Sequence, residues 1–125
     1  MITFAPYFTE YKVFAETAGA KLVALDSDPD TFQIDFALLE KSVTSKTRPV
    51  LVNSPNNPSG VVYNENTVCS LSELLTKKSA EYGKTIYLVT DEPYRELVYG
   101  GVKVPYLTNY YKHTIVCYSY SKSLS

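Results

Sequence analysis

The strongest constraint on this 125-residue chain is an alternation of period. Short apolar runs rich in β-branched residues occur at Lys21–Leu25, Pro49–Val52, Ile86–Val89 and Thr114–Tyr118. Each is too short to be a helix, and each is nearly continuous in hydrophobicity, as strands covered on both faces tend to be. Helical patterns separate them. Thr9–Ala18 ends at Gly19, and a short pattern begins near Asp35 with Phe36, Leu38 and Leu39. Thr67–Tyr82 carries Val68, Leu71 and Leu75 on one stripe, with Gly83 beyond it. Strand and helix in turn predict an α/β three-layer αβα domain with a mostly parallel sheet and right-handed crossovers. The pattern shows no linker, repeat or low-complexity tract.

Composition narrows the function classes. A net charge of -1 and a charged fraction of 20% describe an ordinary globular chain, not a polyanion binder, so nucleic acid is not expected as a partner. A membrane partner is not expected either. No stretch approaches the roughly 20 apolar residues of a membrane span, and "MITFAPYF" lacks the basic region and long apolar core of a signal peptide. A cytoplasmic location is the expectation. Cys69, Cys117 and the single His113 have no metal-ligand spacing, so no metal site is expected and both cysteines read as buried thiols. The 12 tyrosines suggest an interface or a pocket with polar tips on aromatic walls, without deciding between them.

Three polar clusters follow three of the apolar runs. "NSPNNPSG" (Asn53–Gly60) begins where the run around Val52 ends. "DEPY" (Asp91–Tyr94) follows Ile86–Val89, and "SYSK" (Ser119–Lys122) follows Thr114–Tyr118. In an open α/β sheet, ligands bind in the crevice outside the carboxyl ends of the strands, and all three clusters fall there. Each also has an ordinary structural explanation. Asn, Pro, Ser and Gly make turns, acidic residues before proline suit a strand exit, and serines near a chain end are commonly a flexible terminus. Their coincidence in order and placement favours a site. A lysine delivered beside a carboxylate and hydroxyls has the makings of a nucleophilic amine for a carbonyl, with hydroxyls to hold an anion.

"PYFTEY", "NSPNNPSGVVY", "DEPYRELVY" and "SYSKSLS", in this order and at these separations, resemble the class I/II aminotransferases of the pyridoxal phosphate-dependent fold type I superfamily. The resemblance implies a pyridoxal 5'-phosphate enzyme that moves an amino group between an amino acid and a 2-oxo acid. It implies that Lys122 forms the internal aldimine and shuttles the proton, and that Asp91 pairs with the pyridine nitrogen. It implies that Asn57 and Tyr94 hydrogen-bond the cofactor's phenolic oxygen, and that Phe8 stacks on the ring. Ser119 matches a phosphate-binding hydroxyl, and Ser121 matches either a second one or a plain turn hydroxyl. A homodimeric parent is implied as well.

Three of the family's features have no counterpart among these residues: the phosphate arginine after the lysine, the glycine loop for the same phosphate, and the arginine that clamps the substrate carboxylate. Arg48 and Arg95 are the two arginines, and neither stands at those places. The expectation is a partial cofactor-binding large domain over residues 1–125, truncated on both sides, with the small domain absent and the isolated fragment inactive. Two other functions fit the same residues. One is a C–S lyase or decarboxylase of the same fold, since the shared motifs hold the cofactor and not the substrate. The other is a non-catalytic α/β binding module.

Overall fold

The computed structural model describes residues 1–124. In chain order the elements are β1 (Ile2–Ala5), α1 (Glu10–Thr17), β2 (Val23–Asp26), α2 (Phe36–Ser42), β3 (Pro49–Asn53), α3 (Glu65–Tyr82), β4 (Tyr87–Asp91) and β5 (Thr114–Cys117), with a 3₁₀ turn at Leu107–Asn109. The strands form one sheet in the order β2-β1-β3-β4-β5. All four pairings are parallel. This is the predicted α/β architecture, with one strand more than the sequence pattern shows. β1 is only four residues long and ends just before Pro6, so its Ile-Thr-Phe-Ala alternation is too brief to be distinctive.

Side-chain chemistry sets the helix ends. The Asp35 carboxylate accepts from the Leu38 N–H at 2.9 Å, and the Asn64 side chain accepts from the Thr67 N–H at 2.9 Å, each satisfying a first-turn donor. The Asn64 cap starts α3 at Glu65, two residues ahead of the expected Thr67. At its far end Gly83 adopts φ 60°, a left-handed stop that glycine takes without steric cost.

Alternation along the strands sorts residues to two faces. Ile2, Phe4, Leu25, Val50, Val52 and Leu88 join Leu39 of α2 and Val68, Leu71 and Leu75 of α3 in one core. Leu39 and Leu75 are fully buried, and such a side chain contributes about 1.5–3 kcal/mol of transfer free energy. The opposite face carries Leu51, Val89, Asn53 and Asp91, and α1 lies there, its Tyr11 hydroxyl bonded to Asp91. Helices on both faces give the three layers.

The edges depart from expectation. β2 and β5 are the outer strands, and Ile115 and Val116 are 50% and 45% exposed, so these two strands are not covered on both faces. Cys117 is exposed for the same reason, and Cys69 is half-buried, so neither is the buried thiol expected of it. The tyrosines divide between both suggested roles. Tyr11, Tyr63 and Tyr111 are buried, whereas Tyr99, Tyr106 and Tyr120 are well exposed.

Candidate functional site

The strand order reverses direction at β1, whose neighbours β2 and β3 lie on either side. The crevice outside the carboxyl ends of the strands at such a switch point is the general ligand site of doubly wound sheets. Phe8 and Tyr11 follow β1, Asn57 follows β3, Asp91 ends β4 with Tyr94 three residues on, and Lys122 follows β5. Five of the seven residues singled out from the sequence, Phe8, Asn57, Asp91, Tyr94 and Lys122, line one cavity of about 320 Å³. Tyr11, Asn53 and Pro93 complete its wall.

Short hydrogen bonds fix this geometry. Asn53 is buried, and its Nδ2 donates to the Asp91 carbonyl at 2.8 Å while its Oδ1 accepts from the Asn57 N–H at 3.2 Å. One amide thus ties the end of β3 to the end of β4 and to the turn between Asn53 and Gly60. From that turn Asn57 Nδ2 donates to Tyr94 Oη at 3.0 Å, so an amide and a phenol from separate loops meet at the cavity. The turn is itself braced, because Asn56 Oδ1 accepts from both the N–H and the hydroxyl of Ser59, at 3.1 and 2.8 Å. The turn reading and the site reading of "NSPNNPSG" are therefore compatible.

The Asp91 carboxylate accepts from the Tyr11 phenol. Burial, and then this bond to a carboxylate, push the ionisation of Tyr11 far above the ordinary range of a phenol. Cys117, the register partner of Asp91, is exposed as a residue, yet partial desolvation of its thiol and then the nearby Asp91 charge raise its ionisation. Tyr94 is held from the other side of its turn. Glu92, 2% exposed, accepts from Arg95 Nε at 2.6 Å and from the Thr90 hydroxyl at 2.8 Å. Arg95 also donates to the carbonyls of Val104 and Pro105 at 3.0 and 2.9 Å, and its guanidinium lies 4.0 Å from the Tyr106 ring centroid. Arg95 is thus committed to closing the loop after "DEPY".

Ser119 and Ser121 lie outside the cavity wall. The Ser119 hydroxyl donates to that of Ser121 at 2.8 Å and accepts from the Ser121 N–H at 3.1 Å, closing the turn that presents Lys122. Tyr11 and Asn53 are the residues that sequence reasoning passed over. Tyr11 sits within a helical pattern where an aromatic reads as core, and Asn53 reads as the first residue of a turn. Nothing in their spacing separates them from those roles.

A somewhat larger hollow of about 410 Å³ opens at the other edge of the sheet, where Ser79, Tyr111 and His113 face it with no carboxylate. There the Tyr111 hydroxyl donates to the Ile86 carbonyl at 2.6 Å and Ser79 Oγ accepts the Ile86 N–H at 3.0 Å, so its polar atoms serve the strand entrance. Among the described residues no group of His, Cys, Asp and Glu could hold a metal ion.

The donor set fits pyridoxal phosphate by its chemistry. A carboxylate suits a pyridine nitrogen, the amide and phenol suit a phenolic oxygen, a primary amine suits an aldehyde, and Phe8, 51% exposed, offers an aromatic face.

The family profile "Aminotransferase class I and II" matches residues 1–125. The aspartate aminotransferase of Bacillus subtilis strain 168 is 34% identical over 99 residues, covering 78% of this chain and 24% of that protein. The crystal structure of an amino transferase from Eubacterium rectale superposes with a TM-score of 0.95 at 60% identity, covering 97% of this chain and 30% of that one. The aspartate aminotransferase of Thermus thermophilus with maleate gives a TM-score of 0.80 at 30% identity, covering 94% and 29%. The chain spans about a third or less of the length of the relatives it matches.

Proposed function

The chain belongs to the class I and II aminotransferases, a pyridoxal phosphate-dependent family, and on that premise we propose that residues 1–125 are part of the cofactor-binding large domain of an amino acid:2-oxo acid aminotransferase. The observation that carries this reading is the meeting of Lys122, Asp91, Asn57, Tyr94 and Phe8 around one cavity, from four separate strand ends.

When bound, the cofactor supplies an electron-withdrawing ring that makes the Cα–H of an attached amino acid acidic. Lys122 Nζ would be the amine that holds the cofactor's aldehyde carbon, and, once the substrate's amine has displaced it, the freed Nζ would take the proton from the substrate Cα. Asp91 keeps a proton on the ring nitrogen by placing an anion beside it. Asn57 Nδ2 and Tyr94 Oη, already 3.0 Å apart, direct their donors to the phenolic oxygen. Phe8 covers one ring face and excludes water from it. Ser119 and Ser121 stand in the turn beneath Lys122, where rotating their hydroxyls from each other to an anion makes them phosphate ligands.

Two charges, Lys122 and Asp91, line the cavity among the described residues. The phosphate and the substrate carboxylate then need cationic partners from the rest of the enzyme. We accordingly assign catalysis to a longer, homodimeric, cytoplasmic protein, with the 125-residue piece inactive by itself. The share of its relatives that the chain covers supports the longer protein.

The test is chemical. Borohydride reduction of the complete enzyme with its cofactor should fix pyridoxyl on Lys122, read by peptide mass spectrometry. Label on Lys112 or Lys77 instead would exclude the assignment.

A further inference from the structure

We propose that Tyr11 is a positioning residue for Asp91: its phenol holds Oδ2 of the carboxylate so that Oδ1 faces the cavity, ready for the ring nitrogen of the cofactor. This rests on the cofactor reading above and goes beyond it, because it concerns how the anion is oriented.

The backbone of Asp91 is fixed on both sides. Its carbonyl accepts from Asn53 at 2.8 Å, and the following N–H, of Glu92, donates to the Cys117 carbonyl at 2.8 Å. The side chain is not fixed by these bonds, and an aspartate carboxyl turns broadly about its last torsion. Tyr11 supplies the missing restraint through its hydroxyl, while Oδ1 takes no hydrogen bond among the described residues.

The donor is itself immobilised. Tyr11 is buried on α1, stacked on Tyr7 with ring centroids 6.5 Å apart and set edge-on to Phe8 at 5.6 Å. Burial and the Asp91 charge keep its phenol protonated well beyond the ordinary range, so it remains a donor at any pH where an enzyme works. Phe8 and Asp91 are thereby linked through one ring. The aromatic face and the carboxylate, two features a pyridine ring would meet at once, share Tyr11 as their support.

The experiment is Tyr11→Phe in the complete enzyme, which deletes one oxygen and keeps the packed ring. A hydrogen bond to a carboxylate corresponds to roughly a ten- to hundredfold effect. The variant should still be labelled on Lys122 by borohydride. Its kcat should fall by about tenfold or more with KM nearly unchanged, and the pH midpoint of the cofactor's near-visible absorbance should move by roughly half to one unit. The absorbance titration is made well below the unfolding temperature, so a lowered Tm does not obscure it. A second comparison isolates the partner: in an Asp91→Asn background, Tyr11→Phe should produce no further shift of that midpoint. Normal kcat and an unmoved midpoint in a variant labelled on Lys122 would overturn the role of Tyr11 while leaving the cofactor reading intact. An equal shift in the Asp91→Asn background would overturn it too, by showing that Tyr11 acts elsewhere. If wild-type enzyme takes no label on Lys122, both readings fall together.

Discussion

Replacing Arg95 with Ala should be among the most destabilising changes in this chain, and its cost can be worked from the geometry. Glu92 is 2% exposed and keeps two partners, Arg95 Nε at 2.6 Å and the Thr90 hydroxyl at 2.8 Å. Removing the arginine leaves a buried carboxylate with one neutral donor, a change that typically costs 3–5 kcal/mol. At about 2.1 cal/mol/K of unfolding entropy per residue, a loss of that size would lower the Tm of a chain of this length by roughly 10–20 °C. Urea titration of the 125-residue chain, followed by far-ultraviolet circular dichroism, measures the free energy directly. Glu92→Gln should remove most of the penalty of Arg95→Ala in a double-mutant cycle. A loss below about 1 kcal/mol, or a Glu92→Gln change that rescues none of it, would refute the view that Arg95 neutralises a buried charge.

Alkaline stability should depend on Tyr63. Burial pushes its phenol up to about 12, so the folded state holds a proton that the unfolded chain releases near pH 10. Its contribution is complete below pH 10 and falls as the pH rises toward 12, by roughly 2–3 kcal/mol, and Tyr63→Phe should abolish that part of the loss in alkaline urea titrations. An unchanged alkaline profile in the variant would contradict the assignment. The isolated chain, mixed with pyridoxal phosphate, aspartate and 2-oxoglutarate, should show no amino transfer above the free-cofactor background, because each missing charge-assisted contact to phosphate or carboxylate weakens binding by about 1.5–3 kcal/mol. Turnover above background would show that the lining residues suffice.

Much of the fold was legible because parallel strands advertise themselves. Runs such as Pro-Val-Leu-Val and Ile-Tyr-Leu-Val are too short and too apolar to be surface helices, and Gly83 marks the end of the long helix by its own chemistry, whereas its start at Glu65, capped by Asn64, lies ahead of the expected Thr67. The sequence also determined which polar clusters stand at strand ends, since each follows its apolar run directly. Tertiary structure alone decided what those clusters do to one another. Tyr11 lies 80 residues from Asp91 and Asn53 lies 38 from it, so no local pattern records that a phenol and an amide converge on that aspartate. The same holds for Arg95, which the sequence shows only as standing away from the family's arginine places and which in the structure neutralises Glu92 and binds two carbonyls of the following loop. Burial, and hence the coverage of β5, was likewise undecidable from the run Thr-Ile-Val-Cys, because an apolar strand has the same composition whether it stands at the centre of a sheet or at its edge. Local propensity is a property of neighbours along the chain, whereas desolvation and hydrogen-bond satisfaction depend on neighbours in space, and the site is made of the second kind.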